Sequence, residues 1–297
     1  ALMTRLTDRT GFYSRQATKK LIRKIQEFSP DLIHLHNLHG YFCHLEVLFR
    51  FLREYGRPVV WTLHDCWAFT GHCASFDFCG CEKWKTGCFS CPQKRDYPAS
   101  DCIDASGRNF NDKKRLFTAV ENLTVVTPSE WLAGLVKTSF LNRHKVRVIH
   151  NGIDLSVFTP RESDCRSRFG LQNKKILLSV ANVWTEKKGF SDLLRLSGML
   201  SGDYRILVVG LDEKQKKKLT PNMIGLSRTE SIDELAELYS AADFFVNPTK
   251  EEAFGMVNVE ALACGTPVIT YASGGTPETV APGCGRVVRR GDLNAML

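Results

Sequence analysis

The sequence predicts an α/β protein built as two similar domains, and three observations carry that reading. Short apolar runs rich in β-branched residues recur along the chain, first "DLIHLH", "PVVWTL", "LTVVT" and "VRVIH", then "KILLSVAN", "YRILVVG", "DFFVNP" and "TPVITY". Helix-period stretches such as "LEVLFRFLREYG" and "SIDELAELYSAA" stand between them. The alternation pauses once, at "HNGIDLSVFTP", and then restarts. Strands that read as continuous apolar runs are buried on both faces, and parallel neighbours need a helical crossover, so the pattern describes parallel sheets made of right-handed βαβ units. The 297 residues, 43% hydrophobic and 24% charged, suffice for two separate cores.

Taken in order, the opening "ALMTRLTDRTGFYSRQATKK" holds no strand-like run, so a segment carrying a first strand is expected to precede Ala1. In "ATKKLIRKIQEF", Leu21, Ile25 and Phe28 are spaced as one helix face with Lys19, Lys20, Arg23 and Lys24 between them, a pattern that suits docking on a core or lying on a membrane. The first four strands then complete a domain over 1–150. Asn151-Gly152 is a turn and Pro160 a breaker, which places the boundary there and a second domain over 151–297. The closing "RRGDLNAML" stops where a helix begins. Open α/β sheets bind ligands beyond the carboxyl ends of their strands, so two such domains face to face make a cleft with a site on each side.

Charge narrows the class. Forty basic and thirty-two acidic residues give a net +8, concentrated in segments such as "EKQKKKL". Such runs are ordinarily solvated helix faces; the functional alternative is attraction to an anionic partner. No apolar run approaches the roughly 20 residues of a membrane-spanning helix.

The most informative stretch is "TKEEAFGMVNVEALACGTPVIT", Thr249 to Thr270. "AADFFVNPT" is a strand and "KEEAFG" the loop at its carboxyl end, so Glu252 stands at a strand tip. Gly255 permits a tight turn, and "MVNVEALACG" is a helix closed by Gly265, with Val257 and Ala261 on its buried stripe. A helix start offers free amides and a partial positive charge to a phosphate. Glu260, further along that helix, can accept two hydrogen bonds from vicinal ribose hydroxyls, which leaves Glu252 for the far end of the ligand, near a sugar.

These residues resemble the signature of family 4 glycosyltransferases of the GT-B architecture, in which two glutamates separated by seven residues bracket a nucleotide sugar. "NGID", "EKKGF", "LAELYSAADFFVNPT" and "GGTPETV" resemble the same family in the same order. "PDLIHLHNLHGYF" and "TLHDCWAFTGHC" resemble the subset that builds bacterial exopolysaccharide, such as colanic acid glycosyltransferases. The resemblance implies two Rossmann-like domains facing a cleft, the first truncated and lacking its usual glycine-rich turn, with an acceptor side in 1–150 and a donor side in 151–297.

"KILLSVANVWTEKKGF" is a strand, a loop and a helix start. A lysine at the end of that loop, beside Gly189, can neutralise charge on a departing diphosphate without a metal ion. The resemblance implies that Lys188 does so together with an arginine six positions earlier; here that position is Asn182, which donates hydrogen bonds but carries no charge. Lys187 is expected in solvent. Gly255 and Met256 are expected to supply amides near the phosphates and Gly210 to lie near the nucleotide. Asn182, Phe254 and Val257 complete the donor-binding set.

On the acceptor side, His64-Asp65 ends a strand, and similar enzymes place a histidine there near the donor sugar. His64 is assigned to sugar or acceptor contact, with Lys188 and Glu252 as the other catalytic candidates and Gly274 bordering the sugar. His34 and His36 share one strand face, as a metal pair does, but no carboxylate stands nearby in sequence, and polar residues lining the cleft are the preferred reading. Asn37 and His39, just past the strand, are acceptor-site candidates.

Six of the eleven cysteines fall in 66–91, within an insertion of about 66–102. Cys88 and Cys91 form a C-x-x-C knuckle; Cys73 with Cys81, or with Cys79, completes a tetrathiolate set for structural zinc. Disulfides and simple free thiols are the alternatives. Trp67, Phe69, Phe76, Phe78, Trp84 and Phe89 are expected to form the insertion's own small core rather than an acceptor groove.

The reading is a retaining glycosyltransferase that moves a sugar from a UDP- or GDP-sugar to a glycan or lipid-linked acceptor in cell-surface polysaccharide synthesis. It needs no cofactor for catalysis, and it is expected in the cytoplasm or peripherally at the inner membrane face. Two alternatives are weighed. A catalytically degenerate homologue fits Asn182. A basic zinc-containing module that binds nucleic acid is disfavoured, because 66–91 carries only Lys83 and Lys85 as bases.

Overall fold

The computed structural model describes residues 2–297 and divides into two compact units, one ending at His150 and one running Asn151–Leu297. The division falls at the Asn151-Gly152 turn.

The N-terminal unit is an all-parallel four-stranded sheet in the order β1 (Ile33–His36), β2 (Val59–Thr62), β3 (Leu123–Thr127), β4 (Lys145–Val148). Its helices are α1 (Leu2–Thr7), α2 (Arg15–Phe28), α3 (Leu45–Tyr55), α4 (Ser106–Phe117) and α5 (Glu130–Thr138). Ser129 caps α5 by accepting from the Leu132 N–H at 3.2 Å. The core is aromatic: Trp61 of β2, Phe49 of α3 and Phe117 of α4 are buried, with ring centroids 4.4–5.6 Å apart. The α2 face differs from the one expected. Ile22 and Ile25 pack on the core, whereas Leu21 and Phe28 are exposed, Phe28 by 80%. Ile22 rather than Leu21 shares the inward stripe with Thr18, four residues apart.

The insertion after β2 has little regular structure, only short 3-10 turns at Trp67–Phe69 and Lys83–Lys85. Trp67, Phe69, Phe76 and Trp84 are buried, and Phe76 stacks on Trp84 at 4.9 Å. These four join the main core of the unit rather than forming a separate one as expected, and Phe78 and Phe89 are exposed.

The C-terminal unit holds six parallel strands in the order β10-β9-β8-β5-β6-β7, with β5 (Lys175–Val180), β6 (Tyr204–Val209), β7 (Met223–Leu226), β8 (Phe244–Asn247), β9 (Val268–Tyr271) and β10 (Gly285–Val288). Its helices are α6 (Cys165–Arg168), α7 (Phe190–Met199), α8 (Glu213–Lys216), α9 (Ile232–Ala241) and α10 (Met256–Ala263). Successive residues of one strand feed opposite cores. Ile176 and Leu178 pack with Ala236, Tyr239 and Ala261 on one face, while Leu177 packs with Leu193 and Leu196 on the other. Both faces of the central strands are therefore apolar, which is why their sequence reads as an unbroken run. Strands β7 and β10 escaped the sequence reading because they lie at the sheet edges, and three of the four residues of β10 are exposed.

Trp61→Ala is expected to cost about 3–5 kcal/mol of unfolding free energy, because the Phe49 and Phe117 rings packed against Trp61 cannot close the void. A urea titration followed by circular dichroism measures it.

Candidate active site

In the C-terminal unit the strand order reverses between β5 and β8: β5 is followed in sequence by β6 on one side, yet pairs with β8 on the other. The loops leaving the carboxyl ends of β5 and β8 meet there, and such switch points are where open α/β sheets hold ligands. Lys188 ends the first loop and Glu252 lies in the second. The Lys188 Nζ donates to Glu252 Oε2 at 2.6 Å, and both side chains remain partly open, 37% and 24% exposed.

A partly buried ionic chain underlies this meeting. Lys250 bonds Glu186 and lies 3.3 Å from Asp192, whose carboxylate accepts from the Tyr271 hydroxyl at 2.9 Å. The Lys250 N–H also donates to the Lys187 carbonyl at 2.8 Å. Lys187 itself is not the solvent lysine the sequence suggested: its Nζ is 3.2 Å from Glu251, which is buried. Every ammonium of this lysine pair and of Lys250 thus has a carboxylate, as ions removed from water require.

Gly255, at φ 101°, starts α10, and Met256 and Val257 begin its first turn. Phe254 is buried, 4% exposed, so its side chain belongs to the interior and only its backbone lies at the loop. The buried stripe of α10 is Asn258 and Ala261, with Val257 only half-buried. Asn258 accepts from Asn247 Nδ2 at 2.8 Å and donates to Thr279 Oγ1 at 2.9 Å, a polar clamp between α10 and the end of β8 that no apolar periodicity announces. Glu260 Oε2 accepts from the Tyr239 hydroxyl at 2.8 Å. Burial raises the Glu260 carboxyl above its ordinary value, against the opposing effect of that hydrogen bond, and burial with the neighbouring Glu260 charge raises Tyr239 far more.

Asn182 is exposed on the β5 loop. Gly210, at φ 99°, ends β6 against that loop, since a Cβ there would stand 1.7 Å from the Ala181 carbonyl oxygen. Gly274 plays the same part for Glu252: at φ 56° a Cβ would stand 1.8 Å from the Glu252 carbonyl oxygen, which also accepts from the Gly275 N–H at 3.0 Å. Both glycines therefore support a loop backbone from behind. A cavity of about 650 Å³ in this unit lies at the opposite edge, lined by the first residues of its strands, among them Tyr204, Phe244, Val268 and Gly285.

In the N-terminal unit the carboxyl ends of β1 and β2 gather histidines. His36 Nδ1 and His64 Nε2 share a hydrogen bond of 2.9 Å, His34 bonds Thr62 Oγ1 at 2.8 Å, and the His34 and His36 rings are 4.2 Å apart. Burial, and then like-charged neighbours, hold His36 below its ordinary value; burial does the same for His64 against the opposing charge of Asp65. Asn37 is exposed, whereas His39 is buried, 2.9 Å from Asp65 without hydrogen-bond alignment and bonded to the Tyr97 hydroxyl at 3.0 Å. Among the described residues, no three His, Cys, Asp or Glu side chains form a ready-made metal coordination set.

Two family models divide the chain. One, described as Glycosyl transferases group 1, matches residues 163–296; the other, Glycosyltransferase Family 4, matches residues 3–157, more than half of the sequence. The chain belongs to glycosyltransferase family 4. Among its curated relatives, a putative colanic acid biosynthesis glycosyl transferase, WcaC of Escherichia coli K12, is 27% identical over 266 residues, covering 87% of this chain and 64% of its own length. A D-inositol 3-phosphate glycosyltransferase of Mycolicibacterium smegmatis is 35% identical over 162 residues, covering 50% of this chain and 37% of its own. The chain thus spans less than two thirds of either relative. Sucrose-phosphate synthase from Thermosynechococcus elongatus superposes with a TM-score of 0.67 at 22% identity, over 94% of this chain and 66% of its own. Anabaena HepE, in complex with UDP and glucose, superposes at 0.62 and 19%, over 94% of this chain and 70% of its own. Both neighbours share the GT-B fold.

The sequence reading missed Tyr239, Lys250, Asp192 and Tyr271. Tyr239 and Tyr271 sit within apolar stretches and signal only burial, and nothing local distinguishes Lys250 from a surface lysine.

Two outcomes follow from this geometry. Gly274→Ala is expected to lower the unfolding free energy by more than about 1 kcal/mol and to displace the Glu252 loop, measured by chemical denaturation and by a crystal structure of the variant. Because the folded carboxyl of Glu260 binds its proton more tightly than the unfolded one, its contribution is most favourable below the ordinary carboxylate range and is lost as pH rises through the folded value. Glu260→Gln, which still accepts from Tyr239, is therefore expected to raise the melting temperature at pH 7 and to leave it unchanged at pH 4, read by scanning fluorimetry.

Proposed function

We propose that this chain is part of a retaining glycosyltransferase that moves a sugar from a nucleoside-diphosphate sugar to a glycan or lipid-linked acceptor in cell-surface polysaccharide synthesis. The observation that carries the reading is the 2.6 Å contact of Lys188 with Glu252 at the β5–β8 switch point, with Glu260 on the helix that follows. A donor diphosphate at the start of α10 meets the first-turn amides and the Lys188 ammonium, which offset charge developing on the leaving group. Glu252, released from its lysine by the incoming phosphate, turns to sugar hydroxyls. Glu260 Oε1, without a partner among the described residues, accepts from the ribose while Oε2 stays on Tyr239.

His64, neutral at pH 7, serves as a hydrogen-bonding contact for sugar or acceptor rather than as a charged group. The acceptor chemistry rests on the likeness to WcaC, whose description names colanic acid. The UDP held by HepE favours a uridine donor, with GDP-sugars the alternative to test. No helix of the described residues is long and apolar enough to cross a membrane, and work at the cytoplasmic membrane face with a lipid-linked acceptor is part of this proposal.

The test is thermal stabilisation of the intact protein by a panel of UDP- and GDP-sugars, followed by turnover of the one that binds. Lys188→Ala is expected to lower kcat by roughly 10²–10³-fold, the loss seen when one preorganised charge-stabilising donor is removed. Glu260→Gln is expected to weaken nucleotide binding about tenfold with a smaller effect on kcat, because a bond to a charged acceptor is worth roughly 1.5–3 kcal/mol. Unchanged turnover in Lys188→Ala overturns the assignment of the phosphate site.

A further inference from the structure

The insertion after β2 has a problem the rest of the fold does not share. From Thr70 to Asp104 it contains one three-residue turn and otherwise irregular chain, yet it encloses Phe76 and Trp84. Those two rings join the main core of the unit, but from Cys79 to Cys91 only Trp84 is buried, and segments with so little apolar burial are ordinarily stapled by a covalent or metal cross-link. We propose that Cys73, Cys81, Cys88 and Cys91 bind one Zn²⁺ as four thiolates, and that this ion holds the insertion together.

Four observations support the site. The four thiols, spread over 73–91 in sequence, line one small cavity together with Phe76 and Trp84, and all four are free thiols. Cys73 and Cys91 are already in S–H···S contact, and Cys88 and Cys91 lie near enough to Cys73 for their charges to act on it. The sulfurs are oriented by backbone donors: the Gly71 N–H donates to Cys88 Sγ at 3.1 Å, and the Gln93 N–H donates to Cys91. Amide hydrogen bonds of this kind orient thiolate ligands from outside the coordination shell. The fourth observation is charge. Lys113 is fully buried, and its Nζ donates to the Trp67 and Thr70 carbonyls at 2.7 and 3.1 Å, with Cys88, Cys73, Asp65 and Asp8 near enough for their charges to act on it. A zinc ion with four thiolates carries two net negative charges, and a protonated Lys113 beside it supplies part of the counter-charge.

The thiols do not yet stand at coordination spacing, so side-chain rotation must draw them inward onto the ion. On binding, each of the four S–H groups releases its proton to solvent and each sulfur donates an electron pair to Zn²⁺, with no change of oxidation state. Four thiolates in a tetrahedral set select zinc over harder ions. Cys79 and Cys102 are exposed and lie outside the lining, which gives the test its controls.

The test uses the full chain purified under reducing conditions without chelator. Elemental analysis is expected to find about one zinc per chain. Replacement of the ion by Co²⁺ is expected to give the intense sulfur-to-cobalt charge-transfer and visible bands of a tetrathiolate, a signature that reports ligands without requiring any variant to fold. Cys88→Ser and Cys91→Ser are expected to lose the metal, and Cys79→Ser and Cys102→Ser to keep it. A chain that holds no zinc and shows no thiolate bands with Co²⁺, zinc retained in both Cys88→Ser and Cys91→Ser, or stoichiometric iron in place of zinc would each overturn the proposal.

Discussion

The adjacency of β5 and β8 is the constraint on which the candidate site depends. The two strands are separated by 63 residues, counted from the end of β5 at Val180 to the start of β8 at Phe244, yet they pair in register through Leu177–Phe244 and Leu178–Phe245. Crossovers leave this pair in opposite directions, to β6 on one side and to β9 on the other. The loops at their carboxyl ends therefore have no strand-to-strand connection between them and open a crevice. Lys188 and Glu252 occupy the two sides of that crevice, and Met256, Val257 and Glu260 are placed by the helix that follows the second loop.

A crevice of this kind gathers charge, and charge in a half-buried place must be matched. The structure meets this with graded pairing. At the base, Lys250 lies between the exposed Glu186 and the buried Asp192, and Lys187 pairs with the buried Glu251. At the rim, Lys188 and Glu252 pair where water still reaches them. The enclosed pairs are costly to break because each leaves an uncompensated ion, so they act as scaffold. The rim pair, open to solvent, is weakly held by comparison. Glu260 is a different case: its carboxylate is held in a partly desolvated place by one tyrosine hydroxyl, a local cost to stability that is consistent with a binding role.

The N-terminal unit uses the same sheet logic with different residues. Imidazoles collect at the ends of β1 and β2, and burial lowers the pKa of His36 and His64, so these two rings offer hydrogen bonds as neutral groups at pH 7. Its aromatic core of Trp61, Phe49 and Phe117 keeps β2 rigid beneath them.

The central strands were legible in the sequence because both their faces are buried, so the inner residues of β5, β6 and β8 are apolar whichever way they point. Edge strands β7 and β10, half in solvent, carry no such run and were not legible. The positions of Lys188, Glu252 and Glu260 were legible because a strand tip and a helix start are local features, set by the glycine and the spacing around each one. Their partners were not. Which carboxylate meets which lysine, which residue of α2 faces inward, and that Tyr239 reaches Glu260 depend on contacts between segments distant in the chain. Side-chain ions at a crevice choose partners by distance and exposure, quantities that exist only once β5 and β8 lie side by side.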